Sequence, residues 1–410
     1  MIKSVTGKVS FVLILAFSCF FALGIVTGLL GVAWPSIRAT FTLPLDALVA
    51  LLASSTLGFF LGSVLAGQLM LRSGVATTLM VTNLLAAAGL FGYVVSPGWW
   101  VMVALGILTG WASGTIDTGL NIYIAANHGV AVMNWMHACF GVGATVGPLL
   151  MTTILAAGLT WRIGYVVAAL VHLTLGLLYL AARDRVAIKP IAVPPTSSTS
   201  VSQKPPKPIQ TLKLPIVLLS VLLFLLYTGV ESTTGQWTFT LFTESRSVSS
   251  YAAGVMTSLF WAMLTLGRIV LGATADRVGV ERLLRLSMIG VMIAAILFIF
   301  KNVVIGFIAV ALMGFSLSAI FPTLTADTPK RVGLRHAPNT IGLQTGSASV
   351  GFAILPGLAG ILAQRLGLET LGPFLIAASF LMFLTNEFVV QVMKRNRASE
   401  SGIIPNPLGD

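Results

Sequence analysis

The sequence places a carboxyl group and a carboxamide group one helical turn apart inside an apolar stretch. Asp117 and Asn121 lie in the stretch 98–124, which contains no lysine or arginine, and residues four apart share a face of a helix. A charged Asp at the centre of a membrane helix costs about 2.5 to 3.5 kcal/mol, so it faces a cavity or a partner. We therefore expect Asp117 to carry a proton or cation, or else to hydrogen-bond a neighbouring helix.

His137 lies about one turn inside the next apolar stretch, 132–157. A histidine in the membrane can titrate near physiological pH and so take part in coupling, or it can serve as a hydrogen-bonding packing residue. Asn121 also has two roles open to it, because its amide can orient a hydroxyl-rich substrate or tie two helices together. His172 lies in plain apolar sequence, and we expect it to be structural.

A second intramembrane acid, Glu231, is followed within two helical turns by Gln236 and Trp237. An indole and an amide together suit a sugar, whose ring has an apolar face for stacking and hydroxyl edges for hydrogen bonds. A tryptophan near the end of a span is also typical of the membrane interface. Gln344 is a further polar candidate. The predicted substrate contacts are Asn121, Gln236, Trp237 and Gln344, and the predicted coupling groups are Asp117, Glu231 and His137.

The composition requires that most of the protein surface faces lipid. Of 410 residues, 56% are hydrophobic and 9% are charged, whereas a soluble domain carries about 25% charged residues. The formal net charge is +12, which in a soluble protein would suggest a nucleic-acid partner. Here the basic residues fall between apolar runs, as topology signals do, and we expect no nucleic acid to bind.

Twelve apolar runs follow one another along the chain, and a membrane helix needs about 20 such residues. The one long polar connector is rich in proline, serine and threonine and cannot bury enough apolar surface to fold alone. We therefore predict an all-α membrane protein with about twelve transmembrane helices in two pseudo-symmetric six-helix bundles. The predicted domains are residues 1–182, a cytoplasmic linker at 183–212, residues 213–393 and a cytoplasmic tail at 394–410.

Most lysine and arginine residues fall on one side of the predicted membrane. With the N-terminus in the cytoplasm, only five of the 24 lie outside, which satisfies the positive-inside rule. We therefore expect both termini to be cytoplasmic, in a multi-pass protein of a prokaryotic cytoplasmic membrane. The five outer residues are Arg38, Arg162, Arg246, Lys301 and Arg365.

A pattern of glycine and arginine in the second span recurs 205 positions later in the eighth span. A glycine and a proline of the fifth span likewise recur 208 positions later in the eleventh. Two matches at nearly one offset indicate a duplicated six-helix unit, and parallel repeats of this kind occur in transporters. The first pattern comprises Gly62, Gly67, Arg72 and Gly74, repeated as Gly267, Gly272, Arg277 and Gly279, and the second comprises Gly143 and Pro148, repeated as Gly351 and Pro356.

Twelve spans, a central linker and the motif Gly272-x-x-x-Asp276-Arg277-x-Gly279 together resemble the major facilitator superfamily. The resemblance covers essentially the whole chain. It implies that the four motif residues lie at the cytoplasmic end of a helix and help to lock the two halves in one conformational state. In the first-half copy, Leu71 stands where the motif has its acid.

A narrower resemblance begins at Asp117. The segments 117–121 and 134–144 are similar to helices four and five of the fucose–proton symporter family and its sodium-dependent glucose transporter relatives, and 227–237 resembles their seventh helix. The resemblance implies a secondary active transporter that moves a small polar solute, such as a sugar, by alternating access with a proton rather than sodium. The symporter's acid in helix one has no counterpart here, and His137 stands where a glutamine is usual.

Two other classes of function stay open. One is proton-coupled efflux of a hydrophobic or drug-like compound, which would need a wide apolar cavity. The other is a membrane sensor or intramembrane enzyme, for which the predicted termini and linker are too short to add a soluble domain. No phosphate-binding loop motif for ATP is present, and the histidines and cysteines do not cluster. We therefore expect a monomer that is not an enzyme and has no cofactor and no metal.

Overall fold

The computed structural model describes residues 11–128, 130–181 and 208–400, without the side chains of 130–131, 208–209, 273, 275–276 and 395–400. Most of the predicted linker and the last ten residues of the predicted tail lie outside the described residues. Almost all of the described chain is helical, because an apolar chain in lipid must satisfy its backbone polar groups internally. The first six helices are α1 (Phe11–Phe41), α2 (Leu48–Ser73), α3 (Val75–Val95), α4 (Trp99–Asn127), α5 (Val130–Ala156) and α6 (Arg162–Ala181).

The second group begins with the short helix α7, Pro208–Leu212, within the predicted linker. The remaining helices are α8 (Pro215–Thr240), α9 (Ser250–Val278), α10 (Val280–Leu297), α11 (Val303–Leu317), α12 (Ile320–Val332), α13 (Ala337–Leu366) and α14 (Leu371–Glu400). A π-helical turn at Leu241–Ser245 extends α8.

Eleven helical segments of the described chain are long and apolar enough to cross a membrane. The helices α11 and α12 together form one of them, Val303–Val332. The helix α10 is not among the eleven, because its 18 residues begin with three charges at Glu281, Arg282 and Arg285. With α10 counted as a shorter span, the architecture agrees with the prediction of about twelve.

Glycines with positive φ separate several consecutive helices. Gly74 ends α2 with φ of 79°, and Gly279 alone stands between α9 and α10 with φ of 83°. Residues other than glycine rarely adopt this backbone region. These two glycines are equivalent positions in the sequence repeat, so the repeat predicts the same helix break in both halves.

The contacts divide the chain into two compact units, one comprising Met1–Val201 with Gly235–Thr265 and the other Ser202–Thr234 with Leu266–Asp410. The division falls inside α8 and α9, whereas the predicted bundles, 1–182 and 213–393, follow the order of the chain. The assignment of six helices to each half therefore stays a prediction.

Within the first unit, α1 packs along α5 and α2 along α4. A Cβ atom added at Gly24 would collide with the carbonyl oxygen of Phe140, and one at Gly143 would collide with that of Phe21. Small residues at helix interfaces allow such close approach of two backbones. The contact fixes the part of α5 that carries His137 against α1.

Within the second unit, α10 packs against α11 and α14, and α12 against α13. The helices α8 and α13 also approach closely, since a Cβ atom at Gly351 would collide with the carbonyl oxygen of Leu225. The Thr228 hydroxyl donates a hydrogen bond of 2.8 Å to the carbonyl oxygen of Ala348. This contact holds the segment of α8 that carries Glu231.

Candidate functional site

Asp117 and Asn121 occupy the same face of α4, as their spacing predicts. The Asn121 Nδ2 atom donates to the backbone carbonyl oxygen of Asp117 at 3.0 Å and lies 3.4 Å from its Oδ2 atom. Both side chains are half-buried. The amide is therefore held by α4 itself, with its oxygen directed away from the carboxyl group.

His137 of α5 completes this arrangement. Its Nε2 atom lies 3.1 Å from the Oδ1 atom of Asn121, and its ring meets Phe20 of α1 edge to face at a centroid distance of 5.1 Å. An amide oxygen only accepts hydrogen bonds, so this contact assigns the proton to Nε2. The structure thus brings His137 to the Asp117–Asn121 face that the sequence predicted, and we call Asp117, Asn121 and His137 the acid–amide–imidazole cluster.

His137 supplies the one basic side chain of this cluster. Neither α4 nor α5 contains lysine or arginine, and the arginine of α1, Arg38, is 18 residues beyond Phe20, about 27 Å along the helix. A carboxyl group in such a place is neutralised at lower cost by a proton than by leaving it charged. The arrangement places a carboxyl group next to two groups that can bind hydroxyls.

Glu231 has a different environment. The hydroxyl of Tyr227, one turn earlier in α8, donates to the Oε2 atom of Glu231. The positive charge of Arg268 in α9 attracts the Glu231 carboxylate. Tyr227 is fully buried, and the two charged side chains are half-buried. Glu231 thus has a cationic partner within the second unit.

The sequence patterns did not predict that Arg268 takes part in this site. The charge pattern assigns it to the inner membrane boundary, yet it lies ten residues before the last residue of α9, Val278, about 15 Å along the helix. Its place in an apolar run does indicate such a role, because a charge inside the membrane needs a partner of opposite sign.

Gln236 and Trp237 are almost completely buried in α8, at 3% and 1% exposure. The helix passes close to α1 here, since a Cβ atom at Gly31 would collide with the Gly235 carbonyl oxygen. The Oε1 atom of Gln236 has no hydrogen-bond partner among the described residues. A buried polar atom of this kind is costly unless a ligand or water bonds it.

Gln344 of α13 is also buried, but it has a partner in the protein. Its Oε1 atom accepts a hydrogen bond of 3.1 Å from the Thr328 hydroxyl of α12. The contact joins two helices of the second unit. A substrate would have to share or replace this bond to engage the Gln344 oxygen.

The predicted lock residues lie at the end of α9. A Cβ atom at Gly272 would meet open space, Arg277 is exposed in the last turn, and Gly279 breaks the helix. The side chain of Asp276 lies outside the described residues. The lock itself stays a prediction.

His172, expected to be structural, is buried in α6. Its Nδ1 atom lies 2.9 Å from the Oδ1 atom of Asn83 in α3, and the amide nitrogen of Asn83 lies 3.5 Å from the Cys19 sulfur of α1. Three helices of the first unit are joined in this way. The sequence reasoning did not single out Asn83, although a carboxamide in an apolar run needs partners as an acid does.

Comparison with known proteins shows the family of the chain. The Major Facilitator Superfamily model matches residues 16–345 and 219–405. The glucose/mannose transporter GlcP of Bacillus subtilis (strain 168) is 25% identical over 382 residues, which cover 89% of this chain and 92% of that protein. Bypass of stop codon protein 6 of Saccharomyces cerevisiae is 27% identical over 174 residues, which cover 39% of this chain and only 34% of the yeast protein.

A solved structure, that of a point mutant of the nucleoside transporter NupG, has the same fold. It superposes with a TM-score of 0.76, covers 92% of this chain and 98% of its own, and is 12% identical in sequence. The predicted membrane fold is thereby confirmed. Because the family model matches most of the sequence, the chain belongs to the Major Facilitator Superfamily of membrane transporters.

Proposed function

We propose that this transporter moves a sugar or a similar small polar solute inward together with a proton, by alternating access. The observation that carries the proposal is the acid–amide–imidazole cluster, in which a carboxyl group and two hydrogen-bonding groups meet inside apolar helices. The name of GlcP, a relative along nearly the full chain, supports a sugar as the cargo.

In this proposal Asp117 carries the coupling proton. A ligand shifts a conformational equilibrium only by its differential affinity for the two states. Protonation changes the charge of the cluster, so it favours the state in which the carboxyl group is least hydrated. His137 takes part through Asn121, because its Nε2 proton and the Asp117 carboxyl group bond the same amide.

Glu231 is the second predicted coupling group. Unlike Asp117, it is attracted by the charge of an arginine, Arg268. This attraction stabilises the Glu231 carboxylate, while burial disfavours its charge, so either Arg268 or a proton can neutralise this group. We propose that Arg268 and a proton compete for Glu231, and that Asp117, which has no lysine or arginine on its own helix, is the principal site.

The proposed substrate contacts lie in two places. The amide of Asn121 bonds His137 beside Phe20, whereas Gln236, with its unbonded Oε1 atom, and Trp237 lie near Gly31, eleven residues or about 16 Å further along α1. A site with buried unpaired polar atoms discriminates strongly in favour of ligands that bond them. Gln344 stays a proposed substrate contact, and it would have to give up its bond with Thr328 to bond a substrate hydroxyl. Sugar hydroxyls offer both donors and acceptors for such a set.

The proposed location follows from the charge pattern. We propose a monomer in the cytoplasmic membrane of a prokaryote, with both termini in the cytoplasm, because most basic residues then lie inside. Labelling of single cysteines placed at the exposed positions Lys301 and Lys330 would test the orientation in intact cells. A membrane-impermeant reagent should label the first position and not the second.

The experiment that tests the function is uptake by proteoliposomes under an imposed gradient. Labelled glucose, mannose and other sugars are offered under an inward proton gradient, an inward sodium gradient, and no gradient. We expect proton-driven accumulation of at least one sugar that an uncoupler abolishes, with protein-free liposomes as the control. Failure to accumulate any sugar, together with drug-stimulated proton release, would establish the efflux alternative instead.

A further inference from the structure

A cavity of about 230 Å³ opens between the ends of three helices of the second unit. It is bordered by the first turn of α10, the last turn of α12 and the later part of α14. Three basic side chains line it, Lys330 and Arg331 from α12 and Lys394 from α14. This cavity is separate in sequence from the residues proposed above to bind substrate.

The acidic side chains of the cavity already have cationic partners. Glu281 lies 3.1 Å from Arg285 and 3.3 Å from Lys394, and Asp327 lies 2.7 Å from Arg331. With three basic and two acidic residues, the lining carries a net charge of +1. A further anion would therefore enter a site that is still cationic.

Lys330 supplies that remaining charge. It has no acidic group within 4.0 Å in the part of the chain that the structure describes, and it is exposed. Lys330 and the neighbouring Arg331 both line the cavity, the first exposed and the second buried. An ammonium group on a flexible chain is well suited to reach an anion there.

Two buried polar atoms point to the kind of ligand. The Nη1 atom of Arg331 and the Oδ1 atom of Asn386 have no hydrogen-bond partner among the described residues. The Arg331 side chain is 4% exposed and Asn386 is 1% exposed. The first atom donates and the second accepts, so the matching ligand is an anion that also carries a hydroxyl group.

The cavity is larger than one water molecule needs. Its volume of about 230 Å³ has room for several waters or for one small oxyanion. Arginine prefers planar or tetrahedral oxyanions that can accept two hydrogen bonds. A phosphate group with a hydroxyl nearby fits the charge, the donor, the acceptor and the volume together.

We propose that this cavity binds a phosphate group that carries a hydroxyl, supplied by a phospholipid headgroup or by free phosphate. Arg331 donates through Nη1, Lys330 and Lys394 neutralise the charge, and the Asn386 oxygen accepts from the hydroxyl. The bound group links α12 to α14 and so stabilises the second unit. The charge pattern of the chain would place this site at the cytoplasmic surface, where headgroups and soluble phosphates are both present.

Thermal unfolding of the full chain tests the proposal. One arm titrates inorganic phosphate into protein in neutral detergent, with sodium chloride at matched ionic strength as the reference. The other arm compares nanodiscs of phosphatidylcholine with nanodiscs that also contain phosphatidylglycerol, whose headgroup has a phosphate and hydroxyls. At a hundredfold excess over Kd we expect the apparent Tm to rise by about 5 °C.

The exposed lysines supply variants that should fold normally. K330Q with K394Q removes two charges of the cavity, and K301Q removes one exposed charge elsewhere. A rise in the apparent Tm with inorganic phosphate identifies a soluble ligand. A rise in the apparent Tm with phosphatidylglycerol alone identifies a lipid headgroup as the ligand. Either rise must disappear in K330Q/K394Q and persist in K301Q. No rise in either arm, or an equal rise in K330Q/K394Q, overturns the proposal.

Discussion

The Nε2 atom of His137 lies 3.1 Å from the Oδ1 atom of Asn121, and the Nδ2 atom of the same amide faces the carboxyl group of Asp117 at 3.4 Å. One carboxamide thus bonds a side chain on α5 and a carboxyl group on α4. A change in the charge of either outer group alters the bond that Asn121 makes to the other. The Asn121 amide can therefore couple protonation of Asp117 to the contact between α4 and α5.

We expect His137 to act as a hydrogen-bond donor to Asn121. H137Q keeps a donor, whereas H137L removes it and leaves the amide oxygen without this bond. A lost hydrogen bond is worth about 1 kcal/mol, so H137L should lower the initial rate of proton-driven sugar uptake about fivefold. H137Q should retain most of the rate. Equal uptake by H137L and the unchanged protein would remove this bond from the mechanism.

Replacement of Asp117 tests where the coupling proton binds. D117N keeps the hydrogen bonding to Asn121 but cannot take up a proton. We expect proton-driven accumulation to fall to the level without a gradient, while exchange of labelled for unlabelled sugar continues. D46N, which changes an acid in the short helical turn before α2, should accumulate sugar normally. Accumulation by D117N would assign the coupling proton to another group.

The partners Glu231 and Arg268 should depend on each other. Glu231 and Arg268 are half-buried, and no ion pair within 4.0 Å joins them among the described residues, so removal of either charge should destabilise the protein by less than the roughly 3–5 kcal/mol of a buried ion pair. We therefore expect R268M and E231Q each to lower the apparent Tm in detergent and the folded yield. The double variant E231Q/R268M should recover most of both. If each single variant is as stable as the unchanged protein, the two side chains do not compensate each other.

The sequence predicted the parts of the site that lie within one helix. Asp117 and Asn121 are four residues apart, so the helical period alone puts them on one face. The break at Gly279 follows from its repeat partner Gly74 in the same way. Glycine and charge patterns are local signals, and they remain readable when nearly every other residue is apolar.

Contacts between helices could not be predicted in this way. In a soluble helix the apolar stripe shows which face is buried, but lipid is as apolar as the protein interior, so a membrane helix carries no such stripe. The rotation of α5 that brings His137 to Asn121 is therefore not encoded in hydrophobicity. The same holds for Arg268 beside Glu231 and for Thr328 beside Gln344.

A further contact of this kind tests how the chain divides into moving halves. The Nη2 atom of Arg38, in the last turn of α1, lies 2.6 Å from the Oε2 atom of Glu244, in the π-helical turn after α8. The two residues are 206 positions apart. The repeat assigns them to different six-helix halves, whereas the contact division assigns both to the first unit.

We expect the repeat-based halves to be the moving bodies. In a chain with C19S and C139S, the variants R38C and E244C are combined and joined by a short bifunctional thiol reagent. Because alternating access requires the halves to rock against each other, the cross-link should abolish uptake, and cleavage of the linker by a reductant should restore it. Each single-cysteine variant, treated identically, should keep its uptake. Full transport by the cross-linked protein would mean instead that the end of α8 moves together with α1.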